Sequence, residues 1–380
     1  MIYLDNSATS FPKPAQVKAR MNLAMNQFGA NPGRSGYEMS IRTAEEVYRC
    51  RQEAAAFFGA DGPECVLFQP SCTQALNIVI KGMLRPGDHV VISDLEHNAV
   101  MRPLEKLKES GVSYTAAETF PMQPERTAQA FAQAMTDRTK LVVCTYASNV
   151  FGIRLPISAI AEAAHERGIK ICVDCAQAAG VVPIDMQKEN LDFLCCAGHK
   201  GLYGPMGTGL LLVRADTDLP TLVEGGTGTS SREMTQPREL PERFESGTLN
   251  IPGIAGLRAG LAFVESRGID RIRREEMRHV QTLYDELSRM PRVILYTPAP
   301  RDPYFVPVLS FNLKGKTSEE TGALLAEQDI AVRCGLHCAP AAHEKMKTED
   351  GTVRVSPSCF TKNSEICSFL RVIWRIARQK

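Results

Sequence analysis

Between about residues 43 and 215 this chain alternates short apolar runs of strand type with segments whose apolar residues recur at helical spacing. That alternation demands an α/β fold with a mainly parallel sheet. Seven strands are expected, at 65–69, 89–93, 113–117, 141–146, 171–174, 193–196 and 209–213. Between two of them Ile157, Ile160, Ala161 and Ala164 follow Pro156 and run up to Gly168, the pattern of a crossover helix.

The alternation then stops. Residues 225–248, GGTGTSSREMTQPRELPERFESGT, are polar and have no apolar period, as in a functional loop or an interface element. One helical segment is expected over 254–290, followed by a small α+β unit with strands near 306–312 and 330–333. The helix between those strands opens at Thr317, with Glu320 placed for a capping box. A last helix puts Ile366, Phe369, Leu370 and Ile373 on one face. With 380 residues the chain is long enough for two domains. We expect a large domain over 15–258, and a small one built from 1–14 and 259–380.

Charge narrows the partners. Lys plus Arg number 44 against 43 Asp plus Glu, so no global field draws in nucleic acid or an anionic membrane. The start, MIYLDNSATSFPKP, has no basic stretch leading into an apolar run, and no later segment is apolar enough to span a bilayer, so a cytoplasmic location is expected. Twelve cysteines in that compartment are not a disulfide framework. Cys50, Cys65, Cys144, Cys172, Cys195 and Cys196 are expected in the core. Cys172 and Cys175 do not form half of a zinc site, because residues three apart on a strand face opposite sides, and no metal is expected.

Three strand ends carry residues able to do chemistry, and in open α/β sheets ligands bind beyond the carboxyl ends of the strands. Asp174 ends IKICVD, Lys200 follows the next strand in AGHKG, and His97 follows an earlier one in SDLEHN. A lysine for a carbonyl carbon, an aspartate for a protonated ring nitrogen and a flat imidazole to stack on the ring are what pyridoxal 5'-phosphate requires.

YLDNSAT, LEHN, SNVFG, VDCAQ, AGHK and FESGTLNIPG, in that order, resemble the class V aminotransferase group of pyridoxal phosphate enzymes of fold type I. RCGLHCAP and VRVSPSCF resemble its cysteine desulfurase and selenocysteine lyase branch. The resemblance implies Lys200 as the lysine that binds the cofactor, Asp174 at the pyridine nitrogen, Gln177 at the ring hydroxyl and His97 stacked on the ring. Cys72 and Thr73, at a helix N-terminus, and His199 would hold the phosphate. Thr248 would reach it from the second subunit of a homodimer. Where many relatives have a phosphate-binding serine this chain has Ala197, a loss of about 1 kcal/mol.

Asn6, Arg34 and Arg354 would bind the substrate, with Arg354 clamping its carboxylate, and Asn149 would lie against the cofactor or the substrate. Cys338, which precedes Ala-Pro, would be the nucleophile that takes sulfur from L-cysteine as a persulfide and leaves L-alanine. His337 either tunes that thiol or points away, and Cys334 is either a packing residue or a second thiol that traps the persulfide. Selenocysteine lyase action on L-selenocysteine, and another pyridoxal phosphate lyase or transaminase, are the alternatives. The sulfur acceptor is not named by the sequence.

Overall fold

The structure is a computed structural model that describes residues 1–32 and 36–378. A short strand β1 (Ile2–Tyr3) precedes helices α1 (Ala15–Gln27) and α2 (Glu38–Phe58). The alternating region follows as β2 (Val66–Gln69), α3 (Cys72–Met83), β3 (His89–Ser93), α4 (Asn98–Lys108), β4 (Ser113–Ala117) and α5 (Pro124–Ala134). It continues as β5 (Thr139–Thr145), α6 (Ile157–His165), β6 (Lys170–Asp174), β7 (Phe193–Ala197) and β8 (Gly209–Val213). Beyond it lie α7 (Ile251–Arg267), α8 (Ile269–Ser288), β9 (Val293–Leu295), β10 (Leu309–Leu313) and α9 (Ser318–Ala326). The last elements are β11 (Ile330–Ala331), β12 (Arg333–Gly335), α10 (Pro340–Lys345), β13 (Thr352–Val355) and α11 (Asn363–Arg378).

Strands β2 to β8 form one sheet in the order β2-β8-β7-β6-β5-β3-β4. The pairs from β7 through β4 are parallel, and β8 runs against both of its neighbours. β2 therefore points the same way as β7, and the loops after β2, β3, β5, β6 and β7 all leave at one edge. Every residue of β3, β7 and β8 is buried, because helices cover both faces. Each fully buried Val, Leu or Ile contributes about 1.5–3 kcal/mol. Cys172 and Cys195 pack in the core on one face and Cys175 and Cys196 in the core on the other. Among the described residues no three His, Cys, Asp or Glu converge as metal ligands.

A second sheet, β12-β13-β10-β9, is antiparallel. β1 pairs in parallel with β11, and Asp5 bridges to Ser356, which brings residues near the N-terminus against β13. The single helical segment expected over 254–290 is two helices. Gly268, at φ 83°, ends α7 and starts α8, a conformation that residues with a Cβ rarely adopt. The expected domain boundary at 258/259 falls inside α7. The capping box at Thr317 and Glu320 is present. Residues 225–248 form a largely exposed loop, tied to the body where the Glu245 carboxylate takes hydrogen bonds from Arg51 and the Phe68 N–H. No helix among the described residues is long and apolar enough to cross a membrane.

Candidate active site

A cavity of about 230 Å³ opens at the carboxyl edge of the large sheet, and five strands feed it. Cys72 and Thr73 follow β2, His97 follows β3, and Asn149 follows β5. Asp174 ends β6 with Gln177 just beyond, and His199 and Lys200 follow β7. Arg333 and Arg354 enter from β12 and β13, and Cys338 from the loop after β12.

Burial pushes the Lys200 pKa below its ordinary value; Asp174 opposes this, while Arg354 and Arg333 add to it. The result favours the neutral, nucleophilic amine. Asp174 Oδ1 accepts hydrogen bonds from the Ala176 N–H at 2.9 Å and the Cys72 thiol at 3.3 Å. His97 caps α4, its Nδ1 accepting the Ala99 N–H at 3.0 Å, so the ring proton sits on Nε2. Burial lowers its pKa, with Lys200, Arg333 and Arg102 acting in the same direction against Asp174, and the ring stays neutral.

Arg354 is 2% exposed. Its Nη2 donates to Asp5 at 2.8 Å and its Nη1 to the Asn149 carbonyl at 2.9 Å, while the buried Nε has no partner among the described residues. Asn149 in turn donates from its side-chain amide to the His337 carbonyl at 2.8 Å, which ties Arg354 to the cysteine loop. In that loop His337 and Cys338 have φ values of 50° and 56°, left-handed positions that cost about 1–3 kcal/mol each unless the surroundings impose them. The surroundings do so through the Asn149 bond and through the Asn98 N–H, which donates to the Cys338 carbonyl at 2.7 Å.

His337 points away from the thiol. Its Nε2 donates to the Thr352 carbonyl at 3.0 Å, its ring stacks on His343, and burial, with Arg354 and His343, holds its pKa down at about 2. Cys334 leaves β12 on the other side and packs against Gly322 of α9, where burial pushes its thiol up to about 11. Cys359 is buried against the Tyr203 hydroxyl at 3.1 Å. Cys338 is the exposed thiol of the loop.

Asn6 does not line this cavity. Its amide is bound to backbone, donating to the Ser356 carbonyl at 2.9 Å and accepting the Phe11 N–H at 3.1 Å, and it borders a small adjoining cavity behind Lys200. Thr248 is exposed and lines a different cavity, beside Gln69 and Phe244. Arg34 lies outside the described residues. The sequence reading missed Arg333, although it begins the stretch read for its cysteines. It also missed Glu96, a fully buried carboxyl that accepts the Thr145 N–H at 2.8 Å beneath the cavity wall.

The residues present fit pyridoxal 5'-phosphate. At one end the first turn of α3 offers N–H groups with no helical partner. β8 lies so close to that turn that a Cβ on Gly209 would be 2.6 Å from the Ser71 carbonyl carbon. The buried His199 Nδ1, which has no partner among the described residues, lies in the same wall, its pKa lowered to about 4 by burial and by Lys200 and Lys13. Lys200 and Asp174 supply the amine and the carboxylate.

A family model described as aminotransferase class-V matches residues 2–369. The chain belongs to that family. Within it, the chain is 32% identical over 376 residues to a probable cysteine desulfurase of Methanothermobacter thermautotrophicus, an alignment covering 96% of this chain and 92% of that one. The apo structure of a cysteine desulfurase from Thermococcus onnurineus NA1 superposes with a TM-score of 0.91 at 30% identity, covering 99% of this chain and 94% of that one. The cysteine desulfurase CsdA of Escherichia coli does so with a TM-score of 0.88 at 25% identity, covering 98% and 94%. Family membership and the mainly parallel seven-stranded sheet agree with what the ordered motifs implied.

Proposed function

We propose that this chain is a pyridoxal phosphate-dependent cysteine desulfurase, converting L-cysteine to L-alanine and keeping the sulfur on Cys338 as a persulfide. One observation carries the reading: an exposed cysteine, Cys338, lines the same cavity as a lysine of lowered pKa and a buried arginine. The relatives named above are its independent support.

The cofactor, when bound, supplies an electron sink for the carbanion formed at the substrate Cα. The chain supplies the rest. Arg354 clamps the substrate carboxylate, already aimed by Asp5 and the Asn149 carbonyl. The Lys200 amine takes up the Cα proton and returns it. With the cofactor bound, Asp174 would hold its ring nitrogen protonated, and His97 would lie against the ring as a neutral imidazole. Cys338, as thiolate, forms a bond to the substrate sulfur as the Cβ–S bond breaks. The phosphate end is held by the first turn of α3, Thr73 and His199, and Thr248 of a second copy would complete it in a homodimer. The sulfur then leaves to an acceptor that reaches the exposed loop.

Cys338→Ala tests the reading. We expect the variant to retain its cofactor absorbance while persulfide and L-alanine formation from L-cysteine fall at least about 100-fold, since the nucleophile is gone. Full alanine formation from L-cysteine by the variant would overturn Cys338 as the nucleophile. Alanine retained only from L-selenocysteine would instead mark a selenocysteine lyase.

A further inference from the structure

We propose that Arg333 is a catalytic residue for sulfur transfer: its guanidinium holds the anionic sulfur of Cys338, first as the attacking thiolate and then as the persulfide. The inference rests on the desulfurase reading and assigns the group that stabilises its nucleophile.

Attack requires that the thiol proton has already gone. The Cys338 sulfur supplies the electron pair of the new S–S bond, while the pair of the broken Cβ–S bond stays on carbon, which takes a proton on the way to alanine. A negative sulfur on this loop needs a nearby cation, and the neighbouring histidine does not provide one. The His337 ring faces Thr352, and it is neutral.

Arg333 does provide one. Its Nη2 lies 3.7 Å from the Cys338 sulfur, within reach of a hydrogen bond to sulfur. The register of β12 on β13 places Arg333 opposite Arg354, and both line the cavity. The two guanidiniums are engaged differently. Arg354 is buried and held by a carboxylate and a carbonyl, so it is fixed for the carboxylate end of the substrate. Arg333 is half-buried and donates to the thiol, at the sulfur end.

The residue type suits the task. A guanidinium stays protonated throughout the working pH range, so it stabilises the sulfur anion without returning a proton that would quench the nucleophile. A histidinium in the same place, more acidic than the thiol, would return a proton to it. The charge of Arg333 also reaches deeper into the cavity, where it lowers the pKa of both Lys200 and His97.

The test uses the holoenzyme in wild-type, Arg333→Gln and Arg333→Lys forms. Two quantities are read: the rate at which iodoacetamide alkylates Cys338 at pH 7, followed by mass spectrometry, and the steady-state kcat and KM for L-cysteine. We expect Arg333→Gln to slow alkylation and lower kcat by roughly ten-fold, with KM changed less than about two-fold, and Arg333→Lys to recover most of the loss. Alkylation of the Gln variant at the wild-type rate would overturn the inference. So would a raised KM with kcat unchanged, because Arg333 would then be a second carboxylate clamp. Absence of persulfide in the wild type would instead remove the desulfurase reading, on which the alkylation result does not depend.

Discussion

Side chains alternate across a strand, so in β12 the Arg333 guanidinium and the Cys334 thiol leave on opposite faces. Arg333 reaches the cavity, and Cys334 packs against α9 where Gly322 leaves room for its sulfur. Cys338, beyond the strand, is turned outward by two consecutive left-handed residues. The two thiols thus have separate tasks, and Cys334 is the packing residue. Cys334→Ala is expected to load Cys338 with sulfur at the wild-type rate and to lower stability by about 1 kcal/mol, the cost of a small buried vacancy. Mass mapping of air-exposed wild-type protein is expected to find no Cys334–Cys338 disulfide; such a bond forming under turnover would restore the trapping role. The motif drew attention to its cysteines, but the role of Arg333 depends on strand register, which no single stretch of sequence displays.

At the scale of elements, β8 and α3 meet at the turn proposed to hold the phosphate. Gly209 begins β8 directly against the turn into α3, and a Cβ there would also come within 2.9 Å of the Cys72 nitrogen. Backbone has to move to admit it. Gly209→Ala is therefore expected to weaken pyridoxal phosphate binding by about ten-fold, equivalent to about 1.4 kcal/mol. A visible-absorbance titration measures this, and unchanged affinity would show that the turn does not hold the phosphate. The strands themselves were legible because burial on both faces writes them as continuous apolar runs: 171–174 is observed as Lys170–Asp174 and 141–146 as Thr139–Thr145. Elements whose partners are distant were not. The strand expected near 306–312 starts only at Leu309, because the Val306 N–H donates to the Gly152 carbonyl at 2.8 Å instead of joining the sheet. The stretch 330–333 is likewise divided between β1 and β13. The same limit applied to the site. Lys200, Asp174 and His97, expected from strand ends, line one cavity, whereas Asn6, hydrogen-bonded to backbone, borders the adjoining one.

For the whole molecule, two buried carboxyls set how stability depends on pH. Glu276 accepts a hydrogen bond from the Tyr203 hydroxyl at 3.2 Å, and burial raises its pKa to about 8. Glu96, inside the large sheet's core, is raised to about 8 for the same reason, and its Oε2 has no partner among the described residues. Both ionise near 4.5 when the chain is unfolded. A folded pKa above the unfolded one means that the stabilisation is complete below about 4.5 and is lost as pH rises toward about 8, because the unfolded chain releases its proton first. His337 acts oppositely. Its pKa, lowered from 6.5 to about 2, gives stability that is present above 6.5 and lost as pH falls. Between about pH 4.5 and 6.5 the two slopes oppose one another. Glu276→Gln isolates one of them, since an amide keeps the volume and the acceptor for Tyr203 but has no proton to lose. At pH 5 the variant and the wild type are expected to unfold at nearly the same urea concentration. By pH 8 the variant is expected to be more stable by an amount on the order of 3 kcal/mol, from about 1.4 kcal/mol per pKa unit. Urea midpoints across that range measure the difference; a gap that stays constant with pH would mean that Glu276 is already ionised in the folded protein and balanced by a neighbouring charge.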